Sequence, residues 1–180
     1  LALGTQALLT GAMHEDGLAD MADGFWGGRS PQRRLEIMAD SRIGTYGVLA
    51  LVFSVGLRWV ALAAVLPVLG PLVLIGLAAL SRAGLPSVMT ALPHARPGGL
   101  SAGVGRPPAL TAGLAILVGL GLAGVTCGAA TWALFPAMAL AAFGIAALAR
   151  ARIGGQTGDV LGATQQISEI AGLLVLAALI

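Results

Sequence analysis

The stretch GTYGVLALVFSVGLRWVALAAVLPVLGPLVLIGLAAL, residues 44–80, contains a single charged side chain, Arg58, in 37 residues. A helix of about 20 apolar residues crosses the hydrocarbon core of a bilayer. This stretch is long enough to cross twice, and Pro67, Gly70 and Pro71 mark the turn, because proline and glycine interrupt helical backbone. It reads as a helical hairpin inside a membrane.

The rest of the chain has the same character. Hydrophobic residues make up 57% and charged residues 10% of its 180 residues, whereas soluble domains carry about 25% charged residues. Mean hydropathy is +0.92. Residues 1–13 read as the remnant of a first membrane helix, and residues 108–126 and 129–149 as a second hairpin turning near Cys127 and Gly128. A final apolar helix runs to Ile180. The expectation is an all-α, polytopic integral membrane bundle: one domain over 1–180, about six transmembrane helices, the first and last cut short. The 27 glycines fit close helix packing. A signal peptide is not evident, since the first residues lack a basic region. The lone Cys127 excludes an internal disulfide and reads as packing.

Three polar loops separate the apolar runs: A (14–43), B (81–107) and C (150–164). Of ten arginines, four lie in A, three in B and two in C, leaving only Arg58 outside. Cytoplasmic loops collect basic residues, so A, B and C are expected on the cytoplasmic face. Arg58, placed toward the far end of its helix, reads first as snorkelling to the opposite surface, with a carboxylate partner inside the bundle as the alternative. Trp26, Trp59 and Trp132 read as interface anchors. The net charge of +2 then reflects topology, not nucleic-acid binding.

Six of the eight acidic residues fall in loop A: Glu15, Asp16, Asp20, Asp23, Glu36 and Asp40. Asp16, Asp20 and Asp23 are spaced i, i+4, i+7, which puts three carboxylates on one helix face. Like charges that close repel unless a cation lies between them, and oxygen-only ligands favour Mg²⁺ or Mn²⁺ over zinc. A solvated acidic cap is the plainer reading, but it leaves the scarcity of acids elsewhere unexplained. His14 is a candidate base or phosphate contact at the helix entrance, or a structural boundary histidine. Gly17 and Gly24 permit close approach of a ligand or another helix.

Ser30 and Pro31 signal a helix start, and Arg33, Glu36 and Asp40 could form a paired stripe along that helix. The following DSRIGTYG (40–47) offers Ser41, Arg42 and glycines, a set suited to an anion. Loop C carries GGQTGD (154–159), whose glycines and Thr157 can present amides and a hydroxyl to phosphate, while Asp159 adds a metal ligand or base. In loop B, His94 and Arg96 read more simply as positive-inside markers than as anion contacts. The sum is a metal-and-arginine site for phosphates at the membrane face, suited to displacement at phosphorus.

TGAMHEDGLADMADGFWGG, then RRLEIMADSRIGTYGVLAL, then GGQTGDVLGA closely resemble the cobalamin synthase (adenosylcobinamide-GDP ribazoletransferase) family. The blocks occur in the family's order, and the H-x-D-G-x-x-D-x-x-D-G pattern from His14 to Gly24 is specific. The resemblance implies a multi-pass bacterial inner-membrane enzyme of late vitamin B12 synthesis, dependent on Mg²⁺. Such an enzyme joins adenosylcobinamide-GDP to α-ribazole, or its 5′-phosphate, and releases GMP. It further implies metal and diphosphate binding by Asp16, Asp20 and Asp23, with Asp40 and Asp159 as the remaining acidic site residues. Arg34, Arg42, Ser41, Gly17, Gly24, Thr157 and Gly158 are the candidate phosphate contacts. Asp23 is the first candidate for general base, Asp159 the second, and His14 is kept as a catalytic candidate. Glu15 is left out, because some family members carry a hydrophobic residue there. Soluble corrinoid-pathway enzymes are implied as partners.

Two other readings compete with this one. Asp20 to Gly24 fits the opening of a CDP-alcohol phosphotransferase motif, but the rest of that motif is missing. A divalent-metal transporter would place its carboxylates near the bilayer midplane, not in loops.

Overall fold

A computed structural model describes all 180 residues, Leu100 through its backbone alone. In chain order the helices are α1 (Ala2–Thr10), α2 (Met13–Gly27), α3 (Pro31–Met38), α4 (Thr45–Leu69), α5 (Val73–Ala83), α6 (Leu85–Ala91), α7 (Leu100–Val104), α8 (Ala109–Cys127), α9 (Thr131–Ile153) and α10 (Gly158–Leu179). Among the described residues there is no strand, only an isolated bridge between His94 and Gln156. The all-α membrane bundle is therefore the observed class.

Four segments are long and apolar enough to cross a membrane: α4, Val73–Ala91, Ala109–Ile153 and α10. The third turns at Gly128, whose φ of +59° suits glycine, so α8 and α9 form its two arms. Counting them separately gives five long segments, and α1, where the remnant of a first membrane helix is expected, has nine residues. The first hairpin turns where expected, at Gly70 with φ +75°.

Loop C is much shorter than expected. Helix α9 continues to Ile153 and α10 starts at Gly158, so only 154–157 are irregular. The reason is local: the Thr157 hydroxyl accepts the amide of Val160 at 3.3 Å and caps α10. With 22 residues, α10 is long enough to cross a membrane. Loop A is likewise mostly helical, with Ser30 capping α3 through the amide of Arg33 at 3.2 Å, as its Ser-Pro signal predicts.

Helix α10 is the central element, packed against α2, α4, α5 and α9. In lipid, burial of apolar surface does not drive helices together, so close packing and interhelical polar contacts must. At the crossing of α2 and α10 two glycines face each other: a Cβ on Gly17 would lie 2.9 Å from the Asp159 carbonyl oxygen and 3.2 Å from the Gly162 Cα. Nothing larger fits without parting the helices.

Along α4 and α10 the interior alternates in character. One apolar cluster includes Leu18, Phe25, Val160 and Ala163, and another includes Leu62, Val65, Leu173 and Leu176. Between them lies a polar layer of Glu15, Ser54, Arg58, Gln165, Gln166 and Glu169. Arg58 is here, 2% exposed, with Glu15 at 3.2 Å and Glu169 at 3.6 Å. It does not snorkel. It lies about 20 Å along α4 from Thr45, near mid-helix, where reaching either surface is harder than pairing inside.

Candidate active site

The acidic face of α2 meets the start of α10 at the end of the bundle that gathers most arginines. Helix α2 opens after a tight turn at Gly11 and Ala12, both at positive φ, and runs continuously through His14, Asp16, Asp20 and Asp23. Asp20 is partly buried and faces Asp16, Asp159 and Asp23. Burial first, then these three carboxylates in that order, push its carboxyl up to about 7, and Arg96 offsets only part of this.

Asp159 reaches this group from the first turn of α10. Its Oδ2 accepts the Thr157 hydroxyl at 3.1 Å and a guanidinium N–H of Arg96 at 3.3 Å. Arg96 is brought there because loop B is zipped to the α9–α10 turn: Gln156 donates its amide to the Pro93 carbonyl at 2.8 Å, and Ala95 donates to the Gln156 carbonyl at 3.0 Å. The Gln156 side chain and His94 Nδ1 meet at 2.9 Å. His94 is thus a brace, and Arg96, which sequence reasoning treated as a topology marker, belongs to the site.

These elements enclose a cavity of about 440 Å³, lined by His14, Asp16, Arg96, Gly158 and Asp159 and by apolar residues of α6 and α10. His14 is buried, and burial followed by the charge of Arg82 holds its pKa below the usual value. It is therefore a neutral imidazole near pH 7.

The remaining candidates go elsewhere. Asp23 is buried, and its carboxylate accepts the amides of Gly44 at 2.6 Å and Gly47 at 2.9 Å, the free donors at the start of α4. It caps that helix across space, and a Cβ on Gly44 would lie 2.5 Å from it. Asp40 sits on the α3–α4 connection and binds Arg42 at 2.7 Å, in a hollow shared with Asp23, Arg33 and Glu36. Hydrogen bonds from Arg42 hold the Asp40 carboxyl down at about 2. The expected stripe keeps its Arg33–Glu36 pair, at 2.8 Å, without Asp40. Ser41 is exposed beside them.

Arg34 donates to the Arg152 carbonyl at 2.9 Å and tethers α3 to the end of α9. Gly17 and Gly24 are approached by helices, α10 and α3 respectively. Thr157 and Gly158 begin α10, the threonine hydroxyl engaged with its own helix and with Asp159.

Among the described residues no three His, Cys, Asp or Glu side chains converge closely enough to hold a metal ion alone. The arrangement nonetheless fits a divalent cation with an incomplete protein shell. Asp16, Asp20 and Asp159 offer oxygen only, and a cation would relieve both the burial and the mutual repulsion that raise the Asp20 carboxyl. Mg²⁺ is commonly bound through one or two carboxylates, with water and substrate phosphates filling the shell.

Sequence reasoning missed the polar layer around Arg58. Its signal was present in the run QQISE (165–169), four polar residues within an otherwise apolar helix.

The pattern of the family described as cobalamin-5-phosphate synthase matches residues 1–177. A protein of Bradyrhizobium diazoefficiens named adenosylcobinamide-GDP ribazoletransferase is 52% identical, over 99% of this chain and 69% of its own length. Proteins of the same name from Allorhizobium ampelinum and Rhizobium meliloti are 51% and 49% identical, each over 98% of this chain and 71% of its own length. No solved structure matches. Together with the acidic face of α2 and the Gly-rich start of α10, these matches assign the chain to the cobalamin-5-phosphate synthase family.

Proposed function

We propose that the chain is an adenosylcobinamide-GDP ribazoletransferase: it joins adenosylcobinamide-GDP to α-ribazole, or its 5′-phosphate, and releases GMP. The observation that carries this beyond the family match is a cavity lined by Asp16, Asp159 and Arg96, with Asp20 beside it and close enough to feel the charge of both carboxylates. The family match displaces the CDP-alcohol and transporter readings.

Asp16 and Asp20, with Asp159 facing them, would hold Mg²⁺ together with the diphosphate. When bound, the ion neutralises phosphate oxygens and makes GMP a better leaving group. The 3′-hydroxyl oxygen of α-ribazole attacks the cobinamide-side phosphorus, and the bond from that phosphorus to the bridging oxygen breaks. GMP leaves with the bridging oxygen, and the new phosphodiester joins cobinamide to the ribose. The hydroxyl proton passes to a carboxylate. Asp159 suits this better than Asp23, whose oxygens already accept two backbone amides, whereas Asp159 lines the cavity. Arg96 steadies Asp159 and adds positive charge where negative charge develops.

The clustering of arginines at this end of the bundle supports a cytoplasmic orientation in the bacterial inner membrane. The reaction is tested by supplying full-length, membrane-reconstituted protein with both substrates and Mg²⁺ and following the corrinoid by mass spectrometry. Conversion to a product carrying the ribazole nucleotide loop, with one GMP per product, is expected. Hydrolysis of adenosylcobinamide-GDP without joining would contradict the proposal.

A further inference from the structure

The lining of the cavity beside α2 and α10 is mixed: Asp16, Asp159 and Arg96 are charged, whereas Leu85 and Met89 of α6 and Leu161 of α10 are apolar. Its volume of about 440 Å³ lies low in the range for sites that enclose a ligand of drug size. The two substrates differ greatly in bulk. α-Ribazole is one sugar bearing a fused bicyclic base, whereas adenosylcobinamide-GDP carries a corrin macrocycle and two further nucleoside groups. Only the smaller fits inside.

The apolar part of the lining discriminates a second time. Guanine would turn a carbonyl, a ring N–H and an amino group toward leucine and methionine side chains, leaving each without a partner. A dimethylbenzimidazole presents a flat aromatic face and two methyl groups, which those side chains match, methionine sulfur included. Met89 lines the cavity and is only 9% exposed.

We propose that this cavity is the acceptor-nucleoside subsite, with the base against Leu85, Met89 and Leu161 and the ribose turned toward Asp16 and Asp159. The proposal rests on the transferase reading above. The corrinoid nucleotide then approaches from the open side and delivers its diphosphate to the acidic face of α2, opposite the ribose hydroxyl that attacks it.

The test uses full-length protein in nanodiscs. Met89→Trp fills the cavity and Met89→Ala widens it. The KM for α-ribazole should rise about tenfold or more in Met89→Trp, while the KM for adenosylcobinamide-GDP stays within about twofold. In the unsubstituted protein, the riboside lacking both ring methyls should lose about tenfold or more in kcat/KM against α-ribazole, and Met89→Ala should shrink that preference. Equilibrium binding of α-ribazole, followed by its own fluorescence, should weaken in parallel without turnover. A Met89→Trp protein with an unchanged α-ribazole KM, or with only its corrinoid KM raised, overturns the proposal. If Met89→Trp does not fold, an unchanged methyl preference in Met89→Ala overturns it instead. Unsubstituted protein that binds α-ribazole but releases no GMP defeats the transferase reading and leaves the subsite standing.

Discussion

Replacing Arg58 with Met removes the only cation from the polar layer. The guanidinium is 2% exposed, with Glu15 at 3.2 Å and Glu169 at 3.6 Å. Without it, two carboxylates remain inside the bundle, supported by the amides of Gln6, Gln165 and Gln166. Breaking a buried ion pair by deleting one partner costs about 3–5 kcal/mol. The lower end applies here, because either glutamate can take up a proton and polar contacts within membranes are worth less than expected. A loss of about 3 kcal/mol in a domain this size corresponds to roughly 6–12 °C in apparent Tm. Tryptophan fluorescence during heating in nanodiscs reads this directly. Adding Glu169→Gln to the Arg58→Met protein should recover part of the loss, since it removes one orphaned charge. An Arg58→Met protein melting within about 2 °C of the parent would refute the reasoning that this pair holds α2 and α10 against α4.

Three further outcomes are expected. Asp23→Ala should destabilise the chain by about 1–2 kcal/mol, as loss of a helix cap does, because Gly44 and Gly47 lose their acceptor; thermal melting and amide exchange at the start of α4 check this. Gly17→Ala should reduce turnover sharply while the protein still inserts, because the new methyl would lie 2.9 Å from the Asp159 carbonyl and push α10 away from α2; steady-state kinetics and membrane extraction separate the two effects. Asp20 supplies a pH signature. Its carboxyl rises from an ordinary 3.8 to about 7 on folding, and a folded state that holds a proton more tightly loses stability as pH climbs between those values. Metal-free protein should therefore lose stability across that window, Asp20→Asn should lose less, and Mg²⁺ should oppose the loss near neutral pH.

Much of this was legible in the sequence for physical reasons that can be named. A run of 37 residues with one charge admits little but a membrane hairpin, and the i, i+4, i+7 aspartates define a helix face wherever the helix is placed. The start of α3 could be read because Ser30 and Pro31 act locally. What escaped depends on contacts distant along the chain. The role of Asp23 as a cap is set by Gly44 and Gly47, more than 20 residues on, and its spacing with Asp16 and Asp20 points equally well to a metal. Arg96 looked like a topology marker because nothing in its own loop shows that Gln156 will draw that loop to Asp159. The buried pairing of Arg58 was only the second reading of that residue, because its two carboxylates come from α2 and α10. Loop C was drawn too long because GGQTGD resembles irregular backbone, although its threonine is a helix cap.

The account rests on Asp16, Asp20 and Asp159 acting together on a diphosphate, and GMP release tests that most directly. Full-length reconstituted protein would be given adenosylcobinamide-GDP and Mg²⁺, with and without α-ribazole, beside an Asp20→Asn protein shown to fold. Release that requires α-ribazole and is lost in Asp20→Asn is the predicted result. Release that proceeds equally well in Asp20→Asn, or that ignores α-ribazole, would contradict it.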